Sequence, residues 1–349
     1  MLQASKTVPQ HEGRPPLIPA RRLSDRQKDL IQKFAALGSL VVMIVIFALT
    51  SRAFFSVDNG LTVALQTTQI AYLGIGATCV IITGGIDLSV GSVLALSGVV
   101  AALAVKAGVP VPLGFAIGIL TGGACGAING IIITWMKLPP FIATLGMMMV
   151  ARGVALQITG ARPVSGLGDA FGVLGNGALF RIVRDGSDGF PNVVFVGIPY
   201  PVILMVVLAV VVAIMLGRMP IGRHAYAVGS SSEAARLSGV NVARVKMVAY
   251  GMSGLLAGLA GCVLMSRLVT AQPNEGIAAE MDAIASAVIG GTSLMGGVGT
   301  ISGTMIGAFV IGILRNGLNM NGVSYFIQQI VIGLVIIGTV WIDQMRMKR

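Results

Sequence analysis

The stretch that decides the fold is "YPVILMVVLAVVVAIMLG", residues 200–217, in which no side chain carries a charge. A run of about 20 apolar residues is the length that crosses the hydrocarbon core of a bilayer as an α-helix. Comparable runs recur along nearly the whole chain, and they are continuously apolar rather than alternating, which argues against a β-barrel. The stretch therefore predicts one transmembrane helix of a polytopic helical membrane protein.

The composition supports this fold class. The 349 residues are 55% hydrophobic and only 11% charged, whereas a soluble domain is about 25% charged. We expect an all-α bundle of about ten transmembrane helices, at residues 34–54, 61–83, 89–105, 111–135, 141–159, 199–217, 247–266, 282–297, 300–319 and 323–342. The eighth is the least typical, because "GGTSLMGGVG" (290–299) is glycine-rich and also fits a broken or re-entrant segment.

Basic residues predict the orientation, since segments rich in Lys and Arg stay in the cytoplasm. With the N-terminus inside, 16 of the 24 Lys and Arg lie on the cytoplasmic side and six on the other side. The expected organisation is a basic cytoplasmic tail (1–33), a membrane domain (34–345) and a short cytoplasmic tail (346–349). The membrane domain includes an outer loop (160–198) and a cytoplasmic loop (218–246). The first tail has no apolar core, so it is not a signal peptide, and the net charge of +11 suits an anionic inner leaflet without any nucleic acid.

One polar stretch, "GSSSEAARLSGVN" (229–241), lies between two apolar runs. Ser230 and Glu233 have the spacing of a capping box, and Gly239 is placed as a C-terminal stop. Between them are good helix formers, namely Ala234, Ala235, Arg236 and Leu237. The stretch predicts a cytoplasmic helix of about two turns, which is marginal in water unless it docks on a partner. A surface helix that only orders the loop is the alternative.

Polar residues inside the apolar runs are candidates for a pathway. Asp87, in "ITGGIDLSVGS" (82–92), either caps the third helix through Ser89 and neighbouring amides or lines a pathway. The other candidates are Gln66, Thr67, Thr68, Gln69, Asn129, Asn316 and Asn319. A residue of this kind taken alone more often forms an interhelical hydrogen bond.

Glycines at intervals of four residues predict close helix packing. Gly118, Gly122, Gly126 and Gly130 follow one face of the fourth helix, and such faces let helix backbones approach closely within a membrane. This pattern predicts a compact bundle and leaves its function open.

No catalytic motif occurs in the sequence. G-x-x-x-x-G-K-[ST] and H-E-x-x-H are absent, and the two histidines, His11 and His224, lie in the tail and in a cytoplasmic loop. We expect neither an enzyme nor a bound cofactor, so ATP-driven transport would need an ATPase on another chain.

The segment "GRHAYAVGSSSEAARLSGVNVARVKMVAYGMSGLLAGLAG" (222–261) closely resembles the cytoplasmic coupling loop of ribose-type monosaccharide permeases, which are membrane subunits of bacterial ABC importers. Three further stretches match in the same order: "IITGGIDLSVGS" (81–92), "PPFIATLGMMMVARGV" (139–154) and residues 271–324. The resemblance covers roughly residues 34–345. It leaves out the N-terminal tail and the loop 180–195.

The resemblance implies a type II ABC-importer-like bundle in the bacterial inner membrane, with both termini cytoplasmic. Such a permease pairs with a second permease subunit, either identical or a close paralogue. It docks on a cytoplasmic ATPase that binds ATP and Mg, and it accepts a monosaccharide or polyol from a periplasmic sugar-binding protein. The polar helix at 231–238 would be the coupling helix, and the implied ATPase-coupling residues are Arg223, Ser230, Glu233, Ala234, Ala235, Arg236, Leu237 and Gly239.

Other transport classes remain open at this point. A branched-chain amino acid permease shares the wider architecture, although "GIDLSVG" and "RLSGVNV" favour the sugar branch. A secondary transporter would more typically carry ionisable residues near the middle of the membrane, where Asp87 and Arg315 are the few candidates. A channel fits least well.

Overall fold

The computed structural model describes residues 25–180, 182–185, 191–195 and 197–347, with side chains for 37–180, 197–338 and 341. Most of the predicted basic tail and the last two residues of the C-terminal tail lie outside this part. Residues 25–33, which we assigned to the tail, belong to the first helix, because that helix begins at Asp25.

The described residues form thirteen α-helices: α1 (Asp25–Thr50), α2 (Val57–Ile82), α3 (Val90–Lys106), α4 (Val111–Trp135), α5 (Pro140–Thr159), α6 (Asp169–Asn176), α7 (Tyr200–Arg218), α8 (Pro220–Ser230), α9 (Ser232–Leu237), α10 (Val242–Leu268), α11 (Ala279–Ile289), α12 (Ile301–Met320) and α13 (Tyr325–Met347). Four short strands lie between α6 and α7: β1 (Ala178–Leu179), β2 (Ile182–Asp185), β3 (Pro191–Phe195) and β4 (Ile198–Pro199). Strand β1 pairs with β4 and β2 pairs with β3, both antiparallel.

Six of the described helices are long and apolar enough to cross a bilayer, namely α2, α4, α5, α7, α10 and α12. Three shorter apolar helical segments accompany them, at Leu37–Thr50, Val90–Lys106 and Tyr325–Gly338. The all-α polytopic fold is therefore confirmed, whereas a count of ten spanning helices is not established.

The sequence left residues 282–297 open between a full span and a broken or re-entrant segment, and the structure excludes the full span. Helix α11 has 11 residues, about 17 Å at 1.5 Å per residue, which is short of the roughly 30 Å of a hydrocarbon core. The chain then continues as a glycine-rich loop (290–300), in which the amide of Gly297 donates to the carbonyl of Ile82 at 2.9 Å. Gly296 and Gly297 adopt φ of +88° and +73°, so these positions cannot continue a right-handed helix.

Helix α10 is the centre of the bundle and packs against α2, α3 and α4. The backbones of α4 and α10 approach so closely that a Cβ on Gly122 would lie 2.3 Å from the Gly254 carbonyl oxygen. A Cβ on Gly126 would lie 2.2 Å from the Tyr250 carbonyl oxygen. The four-residue glycine spacing thus marks a helix contact, as the sequence predicts.

Helices α2 and α12 run antiparallel and define the two ends of the bundle. Near one end, the Asn316 side-chain amide of α12 donates to Asn59 Oδ1 of α2 at 3.1 Å. At the other end, the loop before α12 bonds to Ile82 of α2. We call these the Asn59 end and the Ile82 end.

Candidate coupling helix and translocation pathway

The polar stretch folds as α9 at the Ile82 end, but its N-cap is one residue later than predicted. Ser231 is the N-cap, and its hydroxyl oxygen accepts from the amide of Ala234 at 3.2 Å. Ser230 ends α8 and donates its hydroxyl to the Tyr226 carbonyl at 3.0 Å. The predicted capping box of Ser230 and Glu233 is therefore wrong. Because three serines follow one another, the pattern alone does not determine which of them has the extended backbone of a cap.

Glu233 pairs with Arg236 instead of closing a capping box. The Arg236 Nη2 atom lies 2.6 Å from Glu233 Oε1, and the side chains of Arg236 and Glu233 are 64% and 67% exposed. The hydrogen bond from Arg236, together with its positive charge, holds the pKa of the Glu233 carboxyl below its usual value. An exposed pair at this spacing adds little to stability, so its charges remain available to a partner.

The C-terminal stop is present as predicted. Gly239 has φ of +84°, and its amide donates to the Arg236 carbonyl at 3.0 Å. The Val240 amide donates to the Ala235 carbonyl at 3.0 Å. These two bonds form a Schellman motif, which needs a left-handed residue at this position.

Helix α9 is attached along one face only. Ala235 is 5% exposed and packs in an apolar cluster with Val228 and Val245. Leu237, by contrast, is 75% exposed. The other predicted coupling residues are also exposed: Arg223 on α8, then Ser230, Glu233, Ala234, Arg236 and Gly239. Helix α9 is therefore a short helix with capped ends and one anchored face, and its opposite face is exposed.

Helix α8, which leads directly into α9, makes a close contact with α2 and with the loop before α12 that we did not predict from the sequence. A Cβ on Gly229 would lie 1.8 Å from the Ile82 carbonyl oxygen and 2.5 Å from the Gly297 nitrogen. The Tyr226 hydroxyl donates to the Gly299 carbonyl at 2.8 Å. We call these five residues the α8 junction. It joins α8 to the end of α2 and to the loop that precedes α12.

Asp87 is buried, with 3% of its surface exposed, and it ties three helices together. Its Oδ1 accepts from the amide of Ser89 at 3.0 Å and from the Ser89 hydroxyl at 2.6 Å. Its Oδ2 accepts from the Ser253 hydroxyl on α10 at 2.8 Å. The side-chain amide of Asn129 on α4 donates to the Ser89 hydroxyl at 3.0 Å. These contacts favour the structural account of Asp87, and they give Asn129 the same role.

Gln66 and Gln69 line a cavity of about 310 Å³ between α2, α11 and α12. Its other polar lining residues are Arg267, Glu275, Asp282, Arg315 and Tyr325. Arg315 Nη2 donates to both oxygens of Asp282, at 2.8 and 2.6 Å. We call this space the polar cavity. None of its charged residues was among our pathway candidates, although a charge inside an apolar run, such as that of Arg315, needs a partner.

The remaining pathway candidates do not meet at one site. Thr67 is fully buried, and its hydroxyl has no hydrogen-bond partner among the described residues. Thr68 donates to the Leu65 carbonyl within its own helix. Asn316 bonds to Asn59, and Asn319 is exposed. The structure therefore places only Gln66 and Gln69 in the polar cavity.

Comparison with known proteins places these features in a transport family. The family model described as branched-chain amino acid transport system / permease component matches residues 59–340. The ribose import permease protein RbsC of Bacillus subtilis (strain 168) is 42% identical over 315 residues, which cover 90% of this chain and 94% of that protein. RbsC of Escherichia coli (strain K12) is 42% identical over 308 residues, covering 88% and 92%.

A third relative is the D-allose transport system permease protein AlsC of Escherichia coli (strain K12), which is 39% identical over 315 residues, covering 90% of this chain and 92% of that protein. No solved structure matches the chain. The chain belongs to the family of branched-chain amino acid transport system permease components, and it is similar to sugar permeases within that family.

Proposed function

We propose that this chain is the membrane-spanning permease subunit of an ATP-driven ABC importer, which moves a monosaccharide or related polyol by alternating access. The observation that carries the proposal is α9, a short capped helix that is anchored at Ala235 and exposes Leu237. The relatives are named as ribose and allose permeases, and these names support a sugar as the substrate. The chain is a transport subunit rather than an enzyme.

The partners follow from this role. A cytoplasmic ATPase, which binds ATP and Mg, docks on α9, and a periplasmic binding protein delivers the sugar at the Asn59 end. A second permease subunit, identical or paralogous, completes the pathway. The chain lies in the bacterial inner membrane with both termini in the cytoplasm, because this orientation places most Lys and Arg inside.

Movement of the ATPase reaches the bundle through the α8 junction. Helix α8 ends at Ser230, and Ser231 alone separates it from α9. A displacement of α9 therefore acts within one turn of helix on Gly229, which touches Ile82 and Gly297. The switch requires contacts that differ between the nucleotide states of the ATPase, since a partner bound equally in both states would shift nothing.

The translocation pathway includes Gln66 and Gln69 in the polar cavity. Asp87 and Asn129 hold the start of α3 instead, because Asp87 bonds to Ser89 and Ser253, Asn129 bonds to Ser89, and neither side chain lines the polar cavity. This assignment reduces the initial pathway candidates to Gln66 and Gln69, which both line the polar cavity.

Reconstitution tests the proposal. The chain is purified with an ABC ATPase from the same organism and placed in liposomes, and ATP hydrolysis and uptake of D-ribose are measured with and without the binding protein. Leu237→Asp should release the ATPase and abolish uptake, because a buried unpaired charge replaces an apolar contact. Ala170→Asp, at an exposed position of α6, is the matched control and should have no effect.

Two results would favour the other transport classes. Uptake of L-leucine in preference to D-ribose would indicate an amino acid permease. Uptake that persists without ATP and with Leu237→Asp would indicate a secondary transporter.

A further inference from the structure

We propose that the polar cavity is a monosaccharide-binding site of the permease itself, in which Asp282 and Arg315 together recognise adjacent hydroxyl groups of the sugar. This inference rests on the proposed function and adds to it, since it assigns part of the substrate selection to this chain rather than to the binding protein alone.

The size of the polar cavity suits one sugar. Its volume of about 310 Å³ is at the small end of the roughly 300–1,000 Å³ that ligand pockets occupy. Seven of the thirteen lining residues are polar, and Ile70, Leu73 and Ile277 supply the large apolar contacts.

The charges of the polar cavity favour a neutral ligand. Arg267 and Arg315 balance Glu275 and Asp282, so the lining has no formal net charge. The Asp282 carboxylate is also neutralised directly by Arg315. A zwitterionic amino acid would have to compete with this pair for its charges, whereas a sugar adds hydrogen bonds without removing it.

The pair leaves hydrogen-bonding capacity unused. Arg315 bonds to both Asp282 oxygens through Nη2 alone. A carboxylate has about four acceptor positions, so two remain for hydroxyl donors. The guanidinium of Arg315 has five N–H donors, and only those of Nη2 bond to Asp282, so donors remain for a sugar oxygen. Acceptors and a donor side by side match two adjacent hydroxyl groups, each of which can donate and accept.

The loop that carries Glu275 is held in place from outside the polar cavity. Arg152 on α5 donates through Nη1 to the carbonyl of Pro273 at 2.6 Å and to that of Glu275 at 2.7 Å. The adjacent Gly276 packs against the backbone of Gly91, since a Cβ on Gly276 would lie 2.4 Å from the Gly91 carbonyl oxygen. These supporting contacts fix the backbone around Glu275 and Gly276, and a binding site needs such support to hold its geometry.

Ligand binding by the purified full-length chain tests this inference without the binding protein. Saturation-transfer NMR detects weak binding, and the probes are D-ribose, D-allose and D-xylose, with L-leucine as the comparison. We expect a saturable signal from at least one of the three sugars and a weaker one from L-leucine. Asp282→Asn should weaken sugar binding about tenfold or more, because it removes an ionised hydrogen-bond acceptor.

A second variant does not disturb the ion pair. Gln66→Leu combined with Gln69→Leu changes two half-buried side chains and should weaken binding to a similar extent. Gln157→Leu, an exposed glutamine on α5, is the matched control and should bind as the unchanged chain does. All variants should still copurify with the ATPase, because α9 is unaltered.

The outcomes separate this inference from the proposed function. If no sugar gives a saturable signal, or if the glutamine double variant binds as well as Gln157→Leu, the binding site is refuted. Should uptake and ATPase stimulation persist in that case, the importer role stands. A chain that binds sugar at the polar cavity but never engages an ATPase would instead refute the proposed importer.

Discussion

Replacing Gly229 by alanine should uncouple transport while leaving the ATPase bound. The new Cβ would lie 1.8 Å from the Ile82 carbonyl oxygen, whereas ordinary van der Waals contact is 3.4–4 Å. Since the atom it meets belongs to backbone, α8 must withdraw from α2, or the bond from Gly297 to Ile82 must open. Overpacking of this kind costs about 1–3 kcal/mol, and a lost hydrogen bond adds about 1 kcal/mol.

The assay compares three quantities in liposomes that contain the permease and its ATPase. These are the amount of ATPase that copurifies, the stimulation of ATP hydrolysis by the binding protein, and D-ribose uptake. For Gly229→Ala we expect normal copurification, because the exposed face of α9 is unchanged. Stimulation and uptake should both fall, by roughly tenfold or more for a displacement that costs about 1.4 kcal/mol or more.

Two further variants keep this prediction open to refutation even if Gly229→Ala folds poorly. Gly251→Ala is the matched control, because nothing lies within 4 Å of its added Cβ, and it should be neutral or slightly stabilising within α10. Tyr226→Phe adds no volume and removes the bond to the Gly299 carbonyl, so it should reduce uptake in the same direction. Full uptake and full stimulation in both Gly229→Ala and Tyr226→Phe would show that the α8 junction transmits nothing.

Three other predictions concern the same regions. Ser231→Ala with Gly239→Val should weaken ATPase copurification by destabilising both ends of α9, at about 1 kcal/mol for the cap and about 1–2 kcal/mol for the left-handed residue; Gly239→Asn, which tolerates that conformation, should retain more binding in the same pull-down. Asp87→Asn should keep most uptake, since asparagine retains an oxygen for the amide and hydroxyl donors at 3.0 and 2.6 Å; a well-inserted variant without uptake would contradict the structural account. A cysteine at Ser232 should react with a membrane-impermeant reagent only from the cytoplasmic side, and one at Ala170 only from the periplasmic side, so labelling of both from one side would refute the topology.

The long apolar helices could be predicted because a bilayer imposes a length and a composition on each of them. The run at 200–217 became α7 (Tyr200–Arg218) for this reason. The same criterion misled at 282–297, because hydropathy counts apolar residues and does not register that Gly296 and Gly297 leave the helical region. Composition therefore predicts that a segment enters the membrane more reliably than it predicts that the segment crosses the membrane.

The two candidate sites, α9 and the polar cavity, also differ in how far the sequence predicts them. Helix α9 could be predicted because its caps and its stop are local, and even there the choice among three serines depended on where α8 ended. The polar cavity depends on contacts between distant segments, since Asp282 and Arg315 are 33 positions apart. The physical signal was nonetheless present, because a charge within the apolar run at 300–319 requires a partner of opposite charge. Asp282 was the acid on the preceding predicted span.

The α8 junction and the polar cavity are connected by the same two helices, α2 and α12. Helix α2 touches Gly229 at Ile82 and contributes Gln66 and Gln69 to the polar cavity. Helix α12 follows the loop that bonds to Ile82, and it contributes Arg315. Helix α2 has 26 residues, about 39 Å of helix, so a displacement of its Ile82 end would reach Gln66 and Gln69 if the helix moves as a rigid body. The short helix α11 carries Asp282 and ends at Ile289, where the chain continues as the loop 290–300. A tilt of α2 and α12 that α11 does not share would change the distances between Arg315, Asp282 and the two glutamines. That is the change a binding site needs in order to hold a sugar in one state of the ATPase and release it in the other.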